Sequence, residues 1–252
     1  MNKRKTSLGL LLIFTISILF LFGCDRGPQK KIEPLDIISL QQEEEINNEG
    51  ILLLEYSAKY PQIKETGNDP CLIKINDYYK VKFNDMNEKT LLESKKMASE
   101  DFLAAKEGEY EFRPHGLGNT YEVTYNDKGL LSINLLEYTY WGGAHPNSFK
   151  ESAIFDINTG QKLTLEKLFK VEKVQAIEIV LTEVKKQIEE KGTDELFLYE
   201  DALESLPDSF FEEDFYYDGK DIVFYFQQYA IAPYAAGFPE FRIPVKDIPY
   251  FQ

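Results

Sequence analysis

The chain has 252 residues, of which 43% are hydrophobic and 14% aromatic. That is enough for one large or two small domains with a buried core, and it excludes a wholly disordered chain. The 43 Asp and Glu outnumber 28 Lys and Arg, giving a net charge of −15 and excluding nucleic-acid binding through phosphate neutralisation. With only two histidines and two cysteines, no metal site of the zinc type and no cofactor is expected.

Lys3, Arg4 and Lys5 precede a largely apolar run from Leu8 to Phe22. The run is shorter than the ~20 residues of a spanning helix but has the length of a signal-peptide core. It ends in Leu21-Phe22-Gly23-Cys24, which resembles the lipobox of bacterial lipoproteins, with Phe22 bulkier than that pattern prefers. Residues 1–23 are therefore expected to be a cleaved signal peptide and Cys24 the lipidated residue, the alternative being an uncleaved anchor. Either route places the bulk of the chain outside the cytoplasm, held to a bacterial membrane. Cleavage removes three positive charges and takes the net charge from −15 to −18. Because lipidation uses Cys24, no internal disulfide is expected, and Cys71 reads as a small buried apolar residue. Residues 24–48, with Asp25-Arg26-Gly27-Pro28 and an acidic run at Glu43-Glu44-Glu45, read as a polar tether.

The exported part opens with an apolar strand, Ile51 to Tyr60, closed by Pro61. Asp69-Pro70 combines a capping carboxylate with proline at the first helical position. Leu72, Ile75, Tyr79, Phe83 and Met86 follow at helical spacing, and a second helix is expected from Glu88 to Lys106 with Gly108 as its cap. Tyr121 to Tyr125 alternates as a strand, and Asn126-Asp127-Lys128-Gly129 forms a tight turn. In the next strand the apolar phase slips between Leu135 and Leu136, which predicts a β-bulge there. Ser152 to Ile157 is a further strand. Val171, Val174, Ile177, Leu181, Val184 and Ile188 mark a helix ended by Gly192. Phe210 to Tyr217, the hairpin signal Asp218-Gly219, the apolar run Ile222 to Phe226 and an edge strand from Phe238 to Val245 complete the pattern. The sum is an α+β fold, antiparallel sheet with helices packed on it.

Two blocks carry a resemblance. The first is Tyr138-Thr139-Tyr140-Trp141-Gly142-Gly143-Ala144-His145-Pro146 with Phe155 to Leu165 and Leu168-Phe169; the second is Phe224 to Gly237. Both resemble the RsiV-like domain of lysozyme-responsive anti-sigma factor ectodomains. Tyr60-Pro61-Gln62-Ile63 with Ile75-Asn76 resembles the PdaC-type companion domain that precedes it. The resemblance implies a companion region over residues 49–130 and an RsiV-like region over 131–250, expected to form one compact unit. It also implies a protein ligand such as lysozyme. Anti-sigma signalling is not implied, since a sigma-binding segment and a spanning helix are missing, and a deacetylase domain is missing too.

Two loops stand out as ligand-binding candidates. Trp141, Gly142, Gly143 and His145 lie on one; Tyr229, Pro233, Tyr234 and Gly237 lie on the other. For each, a ligand-facing role stands beside an architectural one, a sharp turn or a buried crossover. Asp156-Ile157-Asn158-Thr159-Gly160 lacks the glycine and glutamate positions of a calcium loop and reads as a strand-end turn. Glu212-Glu213-Asp214 reads as the solvated side of a strand. No nucleophile motif surrounds His115 or His145, so no catalytic residue is assigned. The expected function is a membrane-tethered binding module for a basic protein such as lysozyme or a peptidoglycan component. The alternatives are a carboxylate-based peptidoglycan-active enzyme and a structural envelope lipoprotein.

Overall fold

A computed structural model describes residues 33–252, so the signal region and Cys24 lie outside the described residues. Its first feature is a correction. Ile37–Asn48, expected as part of the tether, is strand β1, paired antiparallel with β2 (Ile51–Ile63). The turn between them has Glu49 and Gly50 at φ 53° and 81°, the left-handed pair that matches strand twist in a two-residue hairpin. Leu40 and Ile46 supply just enough apolar contact to hold β1 on the sheet, which is why an otherwise polar edge strand reads as linker. Pro61 does not end β2; it pairs with Ser39 beyond the stretch where β3 joins on the other side.

Helix α1 (Pro70–Asp85) starts as expected, with Asp69 Oδ1 accepting from the Cys71 and Leu72 amides at 2.9 and 3.4 Å. It runs through a π-turn (Met86–Thr90) into α2 (Leu91–Glu107), whose end is closed by the Gly108 amide on the Ala104 carbonyl. The chain then adds β3 (His115–Asp127), β4 (Leu130–Tyr140), β5 (Asn147–Asp156) and the short β6 (Gln161–Lys162). These complete a six-stranded sheet in sequence order, antiparallel except for β2 against β3. Helices α1 and α2 cover one face, where Tyr56, Tyr60, Ile75, Tyr79, Phe102, Ile133 and Phe155 form a first core.

The bulge lies elsewhere than expected. β4 pairs regularly with β5, and the register shift falls at Thr124 on β3, where Val123 faces Ile133 and Tyr125 faces Ser132. The apolar phase of β4 slips because Leu130 to Leu135 are buried on both faces, so strict alternation is not demanded.

The second face of β4 and β5 meets a second unit. Helix α3 (Leu165–Phe169), α4 (Lys173–Lys191), α5 (Ala202–Ser209) and strands β7 (Phe215–Tyr217), β8 (Asp221–Tyr225) and β9 (Glu240–Pro244) follow. The three strands form a separate antiparallel sheet with β9 at an edge, as its prolines predict. Leu130 and Ile154 of the first sheet enter this second core beside Val180, Val184, Phe224 and Phe241. The buried stripe of α4 is Ala176, Val180, Val184 and Ile188, while Val174 is exposed. The expected strand from Phe210 shortens to three residues. The observed fold is α+β, and the expected division at residues 130 and 131 falls within the β3–β4 hairpin. Among the described residues no helix is long and apolar enough to cross a membrane.

Cys71 is buried, its sulfur 3.3 Å from the Asn158 carbonyl oxygen. Its neighbour across the interface, Gly160, has φ +62°, and a Cβ there would stand 2.6 Å from the Cys71 carbonyl oxygen. The Asp156–Gly160 segment is the strand-end turn expected, with Asp156 Oδ1 accepting from the Asn158 amide at 2.8 Å.

Candidate binding surface

The structure brings the two candidate loops together. The His145 ring stacks on Tyr234 at 4.0 Å between centroids, and its Nε2 is 2.9 Å from the Tyr229 hydroxyl. His145 Nδ1 is 2.8 Å from the Pro146 carbonyl oxygen, which can only accept. The proton therefore sits on Nδ1, and Nε2 accepts from Tyr229. His145 and Tyr229 are exposed and Tyr234 half-buried, so the cluster presents aromatic faces to solvent. Tyr229 holds φ +66°, a conformation a bulky residue rarely adopts, and Gly237 closes the loop at φ +67°. Pro233 starts the single 3₁₀ turn Tyr234–Ala236 that carries the Tyr234 ring.

Trp141 is not part of that cluster. It packs edge-on against His115 at 5.3 Å between centroids, on the first core's side. His115 is itself buried, with Nε2 3.2 Å from Asp101, and burial lowers its pKa against the pull of that carboxylate. Gly142, at φ +75°, passes close to Arg113, and the Gly143 carbonyl accepts from Arg113 and from the Tyr140 hydroxyl at 3.3 and 3.1 Å. Trp141 and Gly142 pack on His115 and Arg113, while Gly143 and the tip residue His145 are exposed.

Residues just before Tyr229 do something the sequence reading missed. The free edge of β5 is covered by β6 only at Phe155 and Asp156. Over Ser148 to Lys150 its backbone is satisfied by side chains instead. Gln227 accepts from the Lys150 amide at 3.1 Å and donates to the Lys150 carbonyl at 2.8 Å, and Gln228 accepts from the Ser148 amide at 2.9 Å. Gln227 also donates to Asp214 at 2.8 Å. Asp214, expected on a solvated strand face, is buried, and burial pushes its carboxyl up to about 6. The Lys150 ammonium lies over the rings of Tyr225 and Phe238 at 4.6 and 4.8 Å and pairs with Glu240 at 3.1 Å. A Gln-Gln dipeptide after an apolar strand is the only local signal that could have announced this seam.

Beyond the seam, Glu137, Thr139, Asn147, Ser148, Phe149, Gln228 and Tyr229 line an open cleft of about 320 Å³. Phe149 is 53% exposed on its floor, although it lies mid-strand. The cleft thus runs from the aromatic cluster across the β4–β5 face. Among the described residues no group of His, Cys, Asp and Glu is arranged to hold a metal ion.

Residues 48–148 match the family described as deacetylase PdaC, and residues 166–246 match a protein family of unknown function, DUF3298. No curated protein matches the chain. A DUF3298-family crystal structure from Bacteroides fragilis is similar at TM-score 0.64 and 20% identity, over 86% of this chain and 93% of that one. A DUF3298-family protein from Pseudomonas aeruginosa is similar at TM-score 0.61 and 16% identity, over 87% of this chain and 97% of that one. At these identities the likeness is one of fold. Residues 48–148 are thus similar to the PdaC family and residues 166–246 to DUF3298, and the fold is similar to that of DUF3298-family structures from two bacteria.

Proposed function

We propose that this chain is an exported lipoprotein, tethered through lipid on Cys24, whose folded part is a binding module for a cell-envelope or protein ligand, with lysozyme the first candidate. The observation that carries the reading is the meeting of two distant loops in one exposed aromatic cluster. His145, Tyr229 and Tyr234 bond and stack on one another and keep open faces beside an exposed Phe149. Tyrosines of this kind supply large contact area at protein interfaces. A strongly acidic chain also steers a basic partner during encounter. The alternative of carboxylate-based hydrolysis draws less support. Glu151, the nearest companion of Glu137 on the sheet face, has one oxygen 2.6 Å from the Tyr78 hydroxyl and the other 2.8 Å from Lys82, so neither is free to activate water.

Titration calorimetry of the soluble chain from residue 25 onward against a C-type lysozyme tests the reading. Saturable binding, at least tenfold weaker in Tyr234→Ala with an unchanged melting temperature, is the expected result. Absence of binding at high protein concentration removes lysozyme as the ligand. Trp141→Ala is expected to lower stability rather than affinity, because that ring packs inward on His115.

A further inference from the structure

His115 is the first residue of β3 and is 3% exposed. Its Nε2 lies 3.2 Å from an Asp101 carboxylate oxygen on α2. A carboxylate can only accept, so the neutral ring carries its proton on Nε2. Nδ1 is then bare, and it is buried with no hydrogen-bond partner among the described residues. Phe112 and Trp141 flank the ring at 5.8 and 5.3 Å between centroids. From β2, Leu54 stands opposite His115 in the register, and the Glu55 that follows it is exposed. Arg113, two residues upstream, turns its guanidinium to the Gly143 carbonyl. Among the described residues Asp101, itself 52% exposed, is the charged group that meets the imidazole.

We infer that His115 is a pH-sensitive latch, whose protonation releases Trp141 and frees the loop over residues 141–146. The added proton must go on Nδ1, where the new N–H meets no acceptor and burial denies it water. The ion pair gained with Asp101 opposes this, but that carboxylate is already half in solvent and its attraction is screened. Burial lowers the His115 pKa against the pull of Asp101, which puts desolvation as the stronger effect. A protonated ring therefore gains by turning Nδ1 toward water, and Trp141 is the neighbour that must give way. Little else holds the loop. The Gly143 carbonyl is bound only by Arg113 and the Tyr140 hydroxyl, both in exposed bonds, and Gly142 at φ +75° allows the backbone to swing. His145 is four residues past Trp141, so release reaches the aromatic cluster. A solvated histidine titrates near 6.5, above the latched one, so the closed form is favoured above about pH 6.5 and loses ground below it. The effect on ligand binding rests on reading that cluster as the binding surface; the latch itself does not.

Trp141 is the single tryptophan of the chain, so intrinsic fluorescence of the intact protein reads the latch with no ligand present. Emission wavelength is the quantity to follow, because a protonated imidazole quenches a nearby indole without any movement. Between pH 7.5 and 5 the maximum is expected to move to longer wavelength in one transition below pH 6.5, with far-UV circular dichroism unchanged. His115→Phe keeps an aromatic ring but cannot titrate, and should hold the emission maximum constant over that range. Asp101→Asn removes the charge that favours the imidazolium, and should move the transition to lower pH. A merely structural role for Asp101 would lower the melting temperature and leave the transition where it was. In the unaltered protein, the imidazole NMR signal that shows a nuclear Overhauser effect to the Trp141 indole should titrate together with the fluorescence. That measurement decides the matter if either variant fails to fold. A pH-independent emission maximum, the same transition in His115→Phe, or an imidazole titration out of step with the fluorescence would overturn the inference. Failure here leaves the lysozyme titration untouched, and failure of that titration leaves the latch standing.

Discussion

The segment from Phe224 to Gly237 contains two adjoining regions that use similar residues in opposite ways. Tyr225 and Gln227 are buried and direct their polar atoms to the backbone of β5 and to Asp214. Tyr229 and Tyr234, only a few residues later, bond and stack on His145 and remain open to solvent. The difference lies in where each side chain finds its partner. The seam substitutes amide side chains for a missing strand, so it is held by the cost of leaving buried donors and acceptors unmade. The cluster satisfies itself at the surface, so its loss exposes nothing that was hidden.

The largest effect that could break this comparison is in the seam. Gln227→Leu keeps the volume but leaves the Lys150 amide and Asp214 without their partner, and a loss of about 2–4 kcal/mol is expected in urea unfolding. A cost below about 1 kcal/mol would show that the edge of β5 does not need the glutamine. A smaller effect concerns Asp214. Its folded pKa is raised from 3.8 to about 6, so the folded state holds the proton more tightly than the unfolded one. Stability is then unaffected below pH 3.8, falls as pH rises between 3.8 and about 6, and stays reduced above that. Asp214→Asn, which preserves an acceptor for Gln227, should therefore gain about 1–2 kcal/mol at pH 8 and nothing at pH 3.5. Equal gains at both pH values would place the cause in packing. The smallest effect sharpens the other side. Tyr229 holds φ +66°, so Tyr229→Gly relieves backbone strain and should leave stability unchanged or raise it by up to about 1 kcal/mol in thermal unfolding. A destabilisation of 2 kcal/mol or more, by the scale of a buried contact, would make the ring part of the architecture instead.

Much of the local structure was legible because its causes are local. Asp69-Pro70 caps α1, Lys128-Gly129 turns β3 into β4 through two left-handed residues, and Gly192 ends α4 at φ 85°. The α+β class followed from the same signals. Reading the two loops as candidate sites also needed only the sequence, though their separation by more than 80 residues hid that His145 and Tyr229 share one hydrogen bond.

What stayed hidden depended on partners far along the chain. β1 is polar by composition and becomes a strand only because β2 offers it a free edge. The apolar phase of β4 suggested a bulge, when the true cause was burial between two cores, and the bulge that exists sits on its neighbour. Gln227, Gln228 and Asp214 look like ordinary polar residues until β5 is seen to lack a strand beside it. Glu137 and Asn119 stand opposite one another only through the β3–β4 register. Sequence by itself determined the punctuation of this protein, because caps, turns and helical stripes are set by neighbours within a few residues. The tertiary structure alone decided which polar groups are buried, which edges need cover and which loops meet, because those outcomes depend on pairing between segments that the local pattern does not encode.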